Sequence, residues 1–187
     1  MTDATRYAPE IPFPPYSYVS GHWPHPLREP AGHSFGVTHA PLVLPAQSEW
    51  RSCRVYCYAI DLWNAGFYWE AHEQWEALWH AAGRTGTMAD FFKGLIKLAA
   101  AGVKVREGRT EGMLRHLERG QELFEQVFSQ VAQTSSETSE VRYWGIKWQE
   151  LIQLPDMLVH ALDPLAMLHA IDKQPVLRVW ATQLELA

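Results

Sequence analysis

His72, Glu73, Glu76 and His80 stand interleaved with Trp69, Trp75 and Trp79 in a run from Phe67 to Ala82 that holds neither glycine nor proline. Imidazoles and carboxylates one helical turn apart can serve general acid–base chemistry, metal ligation or polar-ligand recognition. The unbroken run predicts a helix over about 67–82. At about 100° per residue, Tyr68, His72, Trp75 and Trp79 share one stripe, and Trp69, Glu73, Glu76 and His80 form the neighbouring one. Glu70, Gln74 and Ala77 point away. The ionisable groups therefore share the aromatic face of the helix, where an unpaired charge costs several kcal/mol.

Three chemistries compete for that face. In the first, His72 and Glu76 ligate a metal with Glu73. The ferritin-like pattern, however, repeats Glu-x-x-His on a second helix, and the zinc-protease pattern ends in His where this chain has Glu76. No metal ligand or cofactor is therefore assigned. In the second, His72, Glu73 and Glu76 form a metal-free acid–base or ligand-binding site, with Tyr68, Trp69 and Trp79 as walls. Aromatic walls lower the local dielectric and tend to raise a carboxylate pKa toward neutrality. Lys93 and Lys97, with Lys104 on the same stripe of the next helix, would give a cationic wall for an anionic small molecule. No nucleophile and no phosphate-cradling glycine loop accompanies them. In the third, Glu73, Glu76 and Lys97 pair across helices and His72 is a satisfied core histidine. A solvated face is the plain account of the lysines.

The motif Gly-x-Tyr-Trp-Glu-Ala-His-Glu-x-Trp-Glu-x-Leu-Trp, from Gly66 to Trp79, together with Phe92-Lys93-Gly94-Leu95-Ile96-Lys97-Leu98-Ala99, resembles the family known as domain of unknown function 309. The likeness extends over about residues 55–150. It implies an all-helical, up-and-down bundle and no established activity.

Around the motif, helical periodicity marks four more long helices and one short one. One covers about 50–64, with Gly66 as its stop. The next after the motif runs from about Met88 to Glu107, with Thr87 as N-cap. Its Phe91, Phe92, Leu95, Ile96, Leu98, Ala99, Val103 and Val105 cover most of the circumference, which places it centrally. Gly94 and Gly102 would let neighbours approach closely. A fourth helix is predicted for about 110–132. A fifth is predicted for about 141–162, kinked or restarted at Pro155, and a short one for about 163–171. The segment after Pro175 fits an extended or a helical tail equally.

Residues 1–48 differ from this helical body at 49–187. Nine of the twelve prolines lie there, which forbids a helical period. Ile11, Phe13, Tyr16, Tyr18, Val19, Trp23, Leu27 and Phe35 are too apolar for a free linker, so an extended arm packed on the body is expected. A proline-rich ligand for another protein is the rival reading. His22, His25, His33 and His39 match no metal-ligand spacing. Cys53 and Cys57, at i and i+4 on a helix, are too far apart for an unstrained disulfide and read as reduced thiols.

A net charge of −5 without a basic run argues against nucleic acid as a partner. No spanning apolar segment and no signal peptide is legible, so a cytoplasmic protein is expected. The leading expectation is a helical bundle that binds or transforms a small molecule, with enzymatic activity left open. The alternatives are a non-catalytic interaction bundle, packing against a copy of itself or another protein, and a metal-binding bundle.

Overall fold

Gly66 sets the geometry of the motif helix. It ends α1 (Arg54–Ala65) in the left-handed region, with φ 89°, and turns the chain directly into α2 (Tyr68–Ala81). In the computed structural model, which describes residues 5–38, 40–132, 141–161, 174–180 and 182–187, these helices are followed by α3 (Thr87–Arg106) and α4 (Thr110–Ala132). A two-residue antiparallel ladder, β1 (Arg142–Tyr143) with β2 (Ile146–Lys147), precedes α5 (Trp148–His160). Consecutive helices pack on one another, and the protein is an all-α helical bundle. The predicted short helix at 163–171 lies outside the described residues, as does His39.

The near-continuous apolar surface of α3 places it between α2 and α4. A Cβ added at Gly94 would come closer than 3.0 Å to the Phe124 ring of α4, and one at Gly102 would do the same to the Tyr68 ring of α2. The two glycines thus let aromatic rings sit against the α3 backbone, and close packing offsets their poor helix propensity.

Two boundaries differ from the periodicity reading. The N-cap of α3 is Gly86, while the Thr87 hydroxyl donates to Gln130 Oε1 at 2.6 Å, tying α3 to α4. The fifth helix begins at Trp148 rather than 141. Trp144, at φ 52°, and Gly145, at φ 82°, turn the ladder back on itself, and the Tyr56 hydroxyl donates to the Trp144 carbonyl at 2.8 Å. Pro155 lies within α5 and is buried.

The described N-terminal and C-terminal segments both lie over α1 and α2. The N-terminal segment stacks Phe13 on Phe67 (ring centroids 5.0 Å apart), sets Tyr18 edge-on to Trp69 (5.2 Å), and pairs Glu10 with Arg54. The described residues of the C-terminal segment, 174–180 and 182–187, form neither helix nor strand. Trp180, 2% exposed, stacks on Trp63 and donates its indole N–H to the Leu158 carbonyl at 3.0 Å. Asn64 clasps Leu184, donating to its carbonyl at 2.9 Å and accepting its N–H at 2.8 Å.

Candidate functional site

Along α2, the periodicity that builds the helix also sorts its side chains by depth. Tyr68, Ala71, Trp75 and Leu78 are buried against α1 and α3. His72, Glu73, Glu76 and Trp79 lie at the rim, half-buried. One ligating atom each from His72, Glu73 and Glu76 falls within 4.8 Å of the others. His72 Nδ1 lies 3.6 Å from Glu73 Oε1, beyond hydrogen-bond distance, and makes no hydrogen bond. Among the described residues Glu76 has no hydrogen-bond or ion-pair partner. The cluster is therefore a convergence of polar groups that do not hydrogen-bond one another.

The opposite wall comes from α3 and α4. Lys97 faces Gly120 of α4, where a Cβ would lie 3.5 Å from the lysine Cβ. Burial first, then Lys93 and Arg119, hold the Lys97 ammonium below its usual pKa. His116, half-buried on α4, is held below the ordinary histidine value by burial first, then by Lys97, Lys104, His72 and Arg115. His72 thus acts on the charge of His116 across the bundle. Periodicity did not single out His116; its signal was position, one turn before Gly120 on a helix packed against the lysine stripe. Neither Lys93 nor Lys97 forms an ion pair among the described residues, so the cross-helix pairing of Lys97 with Glu73 and Glu76 does not form.

The other wall residues go elsewhere. Tyr68 is 1% exposed, its hydroxyl accepts the Val179 N–H at 3.0 Å, and burial pushes its pKa up to about 12. It is a core residue, closed to any ligand at the rim. Trp69 is edge-on to Tyr18 and His25 of the arm and so turns from the His72 cluster. Trp79 sits beside His80, with the Arg84 guanidinium 5.9 Å from its ring centroid.

The helical wheel also misplaced Glu70. Instead of facing solvent it is 4% exposed, accepting the Tyr18 N–H at 2.8 Å and facing His33 Nε2 at 3.2 Å. The arm covers the side of α2 that periodicity assigned to water. Asp61 of α1 is the second buried carboxylate on this side. It accepts the Tyr7 and Ala8 amides at 2.8 Å each and is approached by Arg6 at 3.4 Å. An aspartate set within Ala59-Ile60-Asp61-Leu62-Trp63 was the available signal.

Cavities of about 320, 310 and 430 Å³ lie at the α5–C-terminal junction, at the C-terminal end of α3, and beside Leu42–Pro45. His72, Glu73 and Glu76 line none of these three. Cys53 and Cys57 are free buried thiols, and burial pushes Cys57 up to about 11, which leaves it a poor nucleophile. No helix among the described residues is long and apolar enough to cross a membrane.

No curated protein and no solved structure matches the chain. Residues 56–116, which hold most of α1, all of α2 and α3 and the start of α4, match the family described as Domain of unknown function (DUF309), and over that segment the chain resembles this family.

Proposed function

We propose that the rim formed by α2, α3 and α4 binds a small polar ligand, with His72, Glu73 and Glu76 as its anchors and Lys97 and His116 on the opposite side. One observation carries this reading: one ligating atom from each of three half-exposed ionisable groups lies within 4.8 Å of the others, His72 and Glu73 approach to 3.6 Å without a hydrogen bond, and Glu76 has no partner among the described residues. A structural network would be buried and closed, as Asp61 is, because unpaired polar groups in a fold lower its stability. Mixed charge on the two walls suits a zwitterionic or hydrogen-bonding molecule. A histidine and a carboxylate within reach of one ligand also suit proton transfer.

The same clustering supports a divalent cation as a second reading, since one nitrogen and two carboxylate oxygens can close around an ion. Titration of the full chain with Zn²⁺ and Mn²⁺, followed by tryptophan fluorescence and calorimetry, separates the two. Trp75 and Trp79 on the same helix serve as reporters. Saturable binding near one ion per chain, lost in His72→Ala, selects the cation. Its absence, together with a co-purified organic molecule released on denaturation of the wild type but not of Glu76→Gln, selects the polar ligand. Neither result would leave the cluster without a ligand and would sink the proposal.

A further inference from the structure

At the far end of α3, His22 and Ser20 of the arm meet Lys104, Arg106, Glu107 and Arg109 around a polar pocket of about 310 Å³. Basic residues in the last turn of a helix complement its dipole, and Lys104 donates to Glu107 at 2.6 Å in an ordinary i, i+3 pair. Arg109 reaches the same carboxylate at 3.6 Å. That accounts for the two outer cations and leaves Arg106 unexplained. Arg106 is 1% exposed, and its only acceptor among the described residues is the Gln174 carbonyl, 2.8 Å from Nη2. Nε and Nη1, which carry the majority of a guanidinium's N–H donors, have none. The Glu70 carboxylate acts on Arg106 through space without forming an ion pair.

On the arm side, His22 Nδ1 is likewise buried without a partner among the described residues. Three cations and one carboxylate line the pocket, which keeps a surplus of positive charge and of donors even with the Glu70 carboxylate counted against Arg106. Its volume lies at the lower edge of the range for small-molecule sites, about 300–1,000 Å³. A buried guanidinium short of acceptors, beneath flexible cations at a pocket mouth, is an arrangement that a compact oxyanion completes.

We propose that this pocket binds a phosphate group, either free or on a small metabolite, with Lys104, Arg109 and Ser20 contacting its oxygens and Arg106 holding positive charge beneath them. Binding draws Lys104 and Arg109 away from Glu107. The site is separate from the His72 cluster and does not rest on the function proposed for it.

The test is calorimetric titration of the full chain at constant ionic strength with inorganic phosphate, glycerol 3-phosphate and succinate. Saturable binding of at least one phosphate compound is expected, with succinate weaker. Lys104→Gln and Arg109→Gln should each weaken it at least about tenfold with the circular dichroism spectrum unchanged, and Glu76→Gln should leave it unaltered. Tighter binding of glycerol 3-phosphate than of phosphate assigns the site to a metabolite; the reverse assigns it to the free ion. No saturable binding at millimolar concentrations, an affinity indifferent to both substitutions, or succinate binding as tightly as phosphate would overturn the proposal.

Discussion

Asp61 and Glu76 are carboxylates on adjacent helices, treated in opposite ways. Asp61 is 2% exposed and closed by two backbone amides and a guanidinium. Glu76 is half-exposed beside another carboxylate and an imidazole, with no partner among the described residues. Glu70, on the same helix as Glu76, follows Asp61: it is buried and receives an arm amide. The carboxylates under the arm join chain segments, although Glu70 Oε2 has no partner among the described residues, whereas Glu76 at the rim accepts from no part of the described chain. Charge that holds a fold is enclosed by donors. Charge left open on an aromatic helix costs stability without binding any part of the chain, which is what a site for something else requires.

Removing one side of that comparison should have the largest effect. Deletion of residues 1–45 uncovers Phe67 and Trp69, and it strips Asp61 and Glu70 of the amides of Tyr7, Ala8 and Tyr18. Several kcal/mol of lost burial and bonding corresponds to a fall in Tm of about 10 °C or more for a chain of this size. Differential scanning fluorimetry and light scattering check this. A truncated chain as stable and as monodisperse as the full one would show that the arm serves as a ligand for a partner.

A single substitution sharpens the point. Asp61→Ala leaves two arm amides and Arg6 without their common acceptor, and should cost about 3–5 kcal/mol in chemical denaturation. If it costs less than about 1 kcal/mol, the enclosed carboxylate is not what fastens the arm, and the contrast with Glu76 loses its energetic basis.

The helices were legible because each carries its own period. The apolar circumference of α3 announced a central helix, and Gly94 and Gly102 announced close neighbours, as the Phe124 and Tyr68 rings confirm. A wheel drawn for one helix, however, assigns faces only relative to that helix's own apolar stripe. It placed Glu70 toward water because nothing in α2 records that the arm lies there. The aromatic and proline content of the arm indicated packing but not where. The same limit hid Trp180 and Leu184, whose partners Trp63 and Asn64 lie far away in sequence. The cluster of His72, Glu73 and Glu76 was visible because its members share one helix. His116 was not, since only the packing of α4 on α3 brings it toward them.

The smallest expected effect is the most discriminating. Glu73→Gln and Glu76→Gln remove charge from the rim while keeping size and shape, so packing is undisturbed. Among the described residues Glu76 has no partner to lose, and Glu73 has only His72 Nδ1 at 3.6 Å, within ion-pair reach but outside hydrogen-bond distance. Each substitution also relieves repulsion between neighbouring carboxylates within the cluster. Denaturation midpoints should therefore stay within about 0.5 kcal/mol of wild type or rise slightly, the behaviour of a site whose charge serves binding. His72→Ala should cost more, because its half-buried ring packs at the edge of the aromatic face. The outcome that would break the comparison is symmetry. If both Glu→Gln variants lose several kcal/mol, as Asp61→Ala is expected to, the rim carboxylates hold the fold together like the enclosed one, and the ligand site proposed there does not exist.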